Sequence, residues 1–270
     1  MKISVLVENT SDKGLNVEHG LSLYIELANG CCILFDAGQS ELFLENARLM
    51  GCDVGAVDYA VLSHGHYDHG GGLRTFLQNN AYSCIYAQKT AFLSYYSMKE
   101  YGLKNIGLDE SLKVDYNDRI ELCSGIRTLC EGVTLFTCRD KNFPQPECNS
   151  LLYGPDKKTN DDFSHEQSLL IEESENVVLI AGCAHSGILN IMQVAEHLID
   201  RKITHVVSGF HLMQSCDCKE LESLSELLAT HKGCKYYTMH CTGKTQYKTL
   251  CQYMKNNILY LSCGDTIEID

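Results

Sequence analysis

His64-Gly65-His66-Tyr67-Asp68-His69-Gly70-Gly71-Gly72 is the stretch that decides the fold of this 270-residue chain. Three imidazoles and a carboxylate fall between His64 and His69, directly after the apolar run Tyr59 to Ser63. Divalent metals of the zinc type take nitrogen and oxygen donors of this kind. On an extended segment His64 and His66 point to one side. Asp68 and His69 follow a bend and are placed to face a second metal. The three glycines permit close backbone approach and a tight entry into a helix expected near Leu73. A His-rich polar turn is the bland alternative, and so dense a set of donors argues against it.

Upstream, Ile3 to Val7, Leu21 to Leu27 and Cys32 to Phe35 read as strands. The last two flank Ala28-Asn29-Gly30, a hairpin turn. The third strand ends in Asp36-Ala37-Gly38. A helix is expected from Ser40, with Leu42, Phe43, Ala47 and Met50 at helical spacing and Gly51 as its stop. Residues 76–165 are less regular. Gln88 to Tyr101 reads as a helix, and Pro144, Pro146 and Pro155 mark a long loop. Beyond it strands and helices alternate. Leu169 to Glu172, Val177 to Ala181, His205 to Ser208, Tyr236 to Met239, Ile258 to Leu261 and Thr266 to Ile269 are expected strands. Helices are expected from Ser186, as N-cap, to Arg201, from Lys219 to His231 and from Lys244 to Asn256.

Residues 64 to 69 match the HxHxDH motif of the metallo-β-lactamase superfamily, and Phe35-Asp36-Ala37-Gly38 resembles its first motif. Glu166-Gln167-Ser168-Leu169, Gly182 to Ile188, Gly209-Phe210-His211-Leu212 and His240-Cys241-Thr242-Gly243 resemble the branch of dihydropterin–ribofuranosylaminobenzene phosphate synthase-like proteins. The resemblance implies an α/β (α+β) fold, the four-layer αββα sandwich. It implies one domain over 1–270, with a lid-like insertion at about 76–165. It also implies that His64 and His66 bind one metal, and that Asp68, His69 and His240 bind a second. Asp36 orients the ligand loop, since carboxylates behind a metal site fix imidazole tautomers.

Two departures from the superfamily pattern stand. The usual third histidine falls near His165 or Glu166, while His185 lies two residues beyond Cys183 on a loop entering a helix; His185 is taken as the ligand. The usual bridging carboxylate falls on Cys183, which is either a bridging thiolate or a buried thiol. His211 occupies a substrate-facing position and serves as general acid or anion holder, unless it is a loop histidine bonded to backbone. Tyr82, Tyr86, Tyr95, Tyr96 and Tyr101 either line a pocket or pack the insertion. Cys216 and Cys218 could bind a soft metal, but a pair alone is weak and an exposed loop is the favoured reading. His19 and His205 have no ligand spacing.

The implied activity is that of a metal-dependent hydrolase, with metal-activated water attacking a phosphoester or a carboxyl ester or amide of a small molecule. The cofactor is one or two Zn2+, with iron or manganese open. A synthase or transferase acting on a pterin-like phosphate is the second reading. An iron-containing redox or sensing protein is the third, and His66 argues against it, because di-iron relatives carry an acidic residue there.

Composition fits this picture. The formal charge of −13 excludes the basic footprint of nucleic-acid binding but permits a small anionic substrate held locally. The 15 cysteines, an odd number without a CxxC pair, suggest reduced thiols and a cytoplasmic protein. No apolar run is long enough for a membrane span, so no membrane partner is expected.

Overall fold

A computed structural model describes residues 1–214 and 218–270, with the backbone alone at Cys218. The weak pair Cys216 and Cys218 therefore lies outside the described side chains. Two seven-stranded sheets and one three-stranded sheet form. By internal contacts the chain divides into two compact units. The first comprises Met1–Ser124, Leu151–Gln167 and Ser262–Asp270, and the second Gly125–Ser150 and Ser168–Leu261.

In the first unit the sheet order is β17-β1-β2-β3-β4-β5-β8. Its strands are β1 (Lys2–Val7), β2 (Ser22–Glu26), β3 (Cys32–Phe35), β4 (Tyr59–Val61), β5 (Cys84–Gln88), β8 (Ile120–Cys123) and β17 (Thr266–Glu268). The β2–β3 hairpin turns at Asn29-Gly30, where Gly30 takes the left-handed φ of 87° that the turn demands. Helices α1 (Leu42–Met50), α2 (Tyr67–Gly70), α3 (Leu73–Asn79) and α4 (Ser111–Asp115) connect the strands. Gly51 stops α1 with a φ of 74° and donates its N–H back to Ala47 and Arg48. Phe43, Ala47, Phe76 and Leu77 bury against Leu6, Leu34, Leu62 and Ile85. Each fully buried Phe contributes about 2–3 kcal/mol.

The second sheet has the order β16-β15-β14-β13-β12-β10-β9. Its strands are β9 (Arg127–Cys130), β10 (Val133–Phe136), β12 (Ser168–Glu173), β13 (Asn176–Ile180), β14 (His205–Ser208), β15 (Lys235–Thr238) and β16 (Ile258–Tyr260). The run from β13 to β16 is parallel, and all four residues of β14 are buried, as expected of a strand covered on both faces. Helices α5 (Ile188–Ile199), α6 (Cys218–Ala229) and α7 (Lys244–Met254) supply Ile191, Met192, Leu228 and Leu250 to a core with Leu179, Val206 and Tyr236.

Two expectations need correction. Gln88 to Tyr101 is not a helix: β5 ends at Gln88, and β6 (Tyr96–Lys99) pairs antiparallel with β7 (Gly102–Asn105). Burial there alternates with a period of two, with Tyr95 and Ser97 buried on either side of half-buried Tyr96, and Gly102 opens β7 at φ 112°. Within residues 76–165, strands β5, β8, β9 and β10 join the two large sheets. Only β6, β7 and β11 (Leu152–Tyr153) form a sheet of their own. Ser186 does not cap α5: Gly187 does, at φ 87°, and the Ser186 hydroxyl donates to the Cys138 carbonyl. Among the described residues no helix is long and apolar enough to cross a membrane.

Candidate metal centre

In the first unit β3 and β4 are parallel neighbours, and their carboxyl ends deliver Asp36 and the His64–His69 segment. Loops at the carboxyl ends of parallel strands are where open α/β sheets place ligands. Asp36 is buried in the left-handed region at φ 60°, a conformation that costs about 1–2 kcal/mol outside glycine. Its carboxylate repays that strain by accepting three hydrogen bonds, from the Ser63 N–H, the Ser63 hydroxyl and His69 Nδ1, each at 2.7 Å. The hydroxyl proton of Ser63 is thereby engaged, so its oxygen accepts from His64 Nδ1 at 2.9 Å. Both rings carry their proton on Nδ1, and Nε2 of each presents a lone pair.

His66 sits beside these rings, 4.5 Å from His64 between centroids. Burial pushes its pKa down to about 4, so the imidazole is neutral, the form a metal needs. Its Nε2 lies 3.8 Å from Asp161, a residue that the sequence did not single out. His165 accepts the Gly65 N–H on Nδ1 at 2.8 Å and donates from Nε2 to Asp161 at 2.9 Å. Both nitrogens of His165 are engaged by the protein, so this ring anchors the ligand loop. Asp161 stays ionised: its burial opposes the charge, but the His165 and His66 partners outweigh it and hold the carboxyl well below its usual range. On the loop's other side a Cβ at Gly65 would fall 2.2 Å from the Ala91 carbonyl, so only glycine fits.

Asp68 lies 3.9 Å from His69 Nε2 and 3.2 Å from His19 Nε2. No spacing links residues 19 and 68; the fold does. Leu21 donates its N–H to the Asp68 carbonyl, and the Glu18 carboxylate accepts from the backbone of Gln39 and Ser40. The tyrosines do not make one stripe. Tyr95 packs its ring against His165, 4.0 Å between centroids and tilted by 40°, whereas Tyr101 is 94% exposed.

In the second unit β13, β14 and β15 present the loops bearing Cys183 and His185, His211, and His240 and Cys241 at one end of the sheet. Ala184, His211 and His240 are all left-handed, at φ 54°, 51° and 50°. These three non-glycine residues in a costly conformation gather at one end of the sheet. His185 is held by Asn149, which accepts from its Nδ1 at 3.0 Å and donates to its carbonyl at 2.8 Å. That again leaves Nε2 as the presented nitrogen. The His211 N–H donates to the Cys241 sulfur at 3.2 Å, and the Cys148 thiol donates to the His211 carbonyl. Burial opposes a charge on His211, but its contacts with the sulfurs of Cys148 and Cys241 raise its pKa to about 10. Burial likewise opposes ionisation of Cys241; its contacts with Cys183 and His211 prevail and hold the thiol well below its usual value. Asn149 and Cys148 were not found from the sequence, since an amide or a thiol in an irregular loop carries no pattern, and Cys241 stood there only as part of a motif, without a role.

The family model of the metallo-beta-lactamase superfamily matches residues 15–190. An uncharacterised protein of Methanocaldococcus jannaschii is 33% identical over 99% of this chain and 100% of its own length. A second protein of that organism, named 7,8-dihydropterin-6-methyl-4-(beta-D-ribofuranosyl)-aminobenzene-5'-phosphate synthase, is 28% identical over 93% of this chain and 90% of its own. A crystal structure described as a metal-dependent hydrolase of the beta-lactamase superfamily superposes with a TM-score of 0.84, at 28% identity, covering 100% of this chain and 99% of that one. With these matches the chain belongs to the metallo-β-lactamase superfamily.

Proposed function

We infer that the protein is a metal-dependent hydrolase of a small anionic molecule, and that His64, His66, Asp68, His69, His185 and His240 hold one or two divalent metals, zinc foremost. The observation that carries this reading is the tautomer control. Asp36, Ser63 and Asn149 each hold an Nδ1 proton, on His69, His64 and His185, so that three Nε2 lone pairs are presented. A divalent metal held by these donors lowers the pKa of a coordinated water and polarises a phosphoryl or carbonyl centre. Asp36 keeps the ligand loop in register, and Asp68 offers a carboxylate that orients the attacking water. His211, drawn toward its charged form, holds the anionic group of the substrate or protonates the leaving group. Cys183 stands where the superfamily usually places a bridging carboxylate.

The relative named as a synthase supports a second reading, a transferase acting on a pterin-like phosphate. Incubating the metal-loaded protein with phosphodiesters, carboxyl esters and amides, and pterin phosphates separates the two. Hydrolysis of the first groups is the expected result, and condensation of a pterin phosphate with a second substrate replaces it. His66→Ala is expected to remove metal and activity together. Full metal retention by elemental analysis would refute the ligand set.

A further inference from the structure

We propose that His19 is the residue that positions Asp68 for metal binding, by donating its Nε2–H to the carboxylate oxygen beside His69. The inference rests on the reading of Asp68 and His69 as ligands of one metal and adds the group that aims Asp68. Oδ2 of Asp68 stands 3.2 Å from His19 Nε2 and 3.9 Å from His69 Nε2. With Zn–N and Zn–O both near 2.0–2.2 Å, the ligand atoms of a tetrahedral site stand about 3.3–3.6 Å apart, so Oδ2 and His69 Nε2 are close to the spacing that one ion needs. A carboxylate oxygen accepts only and has two lone pairs, so one that faces a cation keeps the other for the His19 N–H. Carboxylates that bind metals are commonly held by hydrogen bonds of this kind.

The chain is built to bring this ring to Asp68. The His19 side chain is 48% exposed, so burial does not hold it there. Its neighbours do. On one side the Glu18 carboxylate accepts from the N–H groups of Gln39 and Ser40 at 3.0 and 3.1 Å and from the Ser40 hydroxyl at 2.6 Å. On the other, Gly20 donates its N–H to the Asn9 side chain, and Leu21 donates to the Asp68 carbonyl at 3.1 Å. The Gly20 backbone passes so close that a Cβ there would fall 2.6 Å from the Asp68 carbonyl oxygen. One short segment, residues 19–21, therefore meets both the side chain and the main chain of Asp68. Asp68 and His69 then have a partner each: Asp36 holds the His69 ring, and His19 holds the Asp68 carboxylate.

Stepwise Zn2+ affinities of full-length variants, measured by competition with a chelator, test this. Asp68→Ala identifies the binding step that needs Asp68. His19→Ala is expected to weaken that same step about 10–100-fold, the effect of groups behind a metal site, and to leave any other step unchanged. His19→Gln, whose amide N–H can take the place of Nε2–H, is expected to bind nearly as the parent does. Asp68→Ala/His19→Ala is expected to lose no more than Asp68→Ala alone, because His19 acts through Asp68. Since the ring is half exposed, the metal-free His19→Ala protein is expected to melt with the parent. The idea is overturned if His19→Ala binds Zn2+ as the parent does, if His19→Gln is as weak as His19→Ala, or if the double variant loses more than Asp68→Ala. Normal Zn2+ binding by Asp68→Ala would instead sink the reading of Asp68 as a ligand, and this inference with it.

Discussion

The two units bring histidines to their strand ends by different means. In the first, one contiguous segment carries four donors, and oxygen atoms of Asp36 and Ser63 fix two of its rings. In the second, the donors come from three separate loops. They are set by left-handed backbone at Ala184, His211 and His240, by the Asn149 amide and by cysteine sulfur. The first is a hard-donor arrangement centred on a buried charge; the second is softer and centred on backbone geometry. A single substitution should therefore do most damage in the first unit, where several contacts converge on one carboxylate.

Asp36→Ala tests this most severely. It strands three donors of a fully buried cluster, and removing one partner from such a cluster costs about 3–5 kcal/mol. The thermal midpoint should drop by many degrees, and metal content should fall with it. A variant that folds normally and keeps its metal would show that the His64–His69 segment holds its own shape.

Paired glycine substitutions sharpen the contrast. In Gly65→Ala the new methyl meets the Ala91 carbonyl at 2.2 Å, and backbone cannot step aside. A loss of about 3 kcal/mol is expected, the upper end for overpacking. In Gly209→Ala the nearest atom is the Cys241 sulfur, the end of a short side chain that can rotate. About 1 kcal/mol is expected there, from denaturant melts of both variants. Equal losses would mean that the soft half is as rigid as the hard one. Asn149→Ala falls between them: it frees the His185 ring without emptying the site, and a roughly 10-fold loss of metal affinity is expected by competition with a chelator.

Legibility in the sequence follows the same division. The His64–His69 segment and Asp36 were found from the chain because local spacing and a strand end specify them. The strands flanking Asn29-Gly30 and the stop at Gly51 were legible for the same reason: a turn needs its glycine. His19, Asn149, Asp161 and Cys241 were not, because their roles depend on which loops the sheets bring together. Gln88 to Tyr101 misled because aromatic residues spaced three and four apart satisfy a helical period while the chain pairs as strands. His165 was legible as a histidine near the site, but only its two hydrogen bonds, to Gly65 and Asp161, show it to be an anchor.

The smallest effect concerns His205, at the start of β14 and so at the other end of that strand from His211. Burial, helped by Lys235, lowers its pKa, opposite to the shift at His211. An imidazole with a depressed pKa binds fewer protons folded than unfolded. Its contribution is therefore complete above the unfolded value of about 6.5 and is lost as the pH falls below it. His205→Gln removes this titration, so its thermal midpoint should fall less between pH 7.5 and pH 5.5 than that of the parent. The comparison is a difference of differences, because acid also acts on the rest of the molecule in both proteins alike. If the two midpoints fall in parallel, the neutral ring in β14 is not what makes this sheet sensitive to acid, and the sensitivity belongs to the loops at its other end.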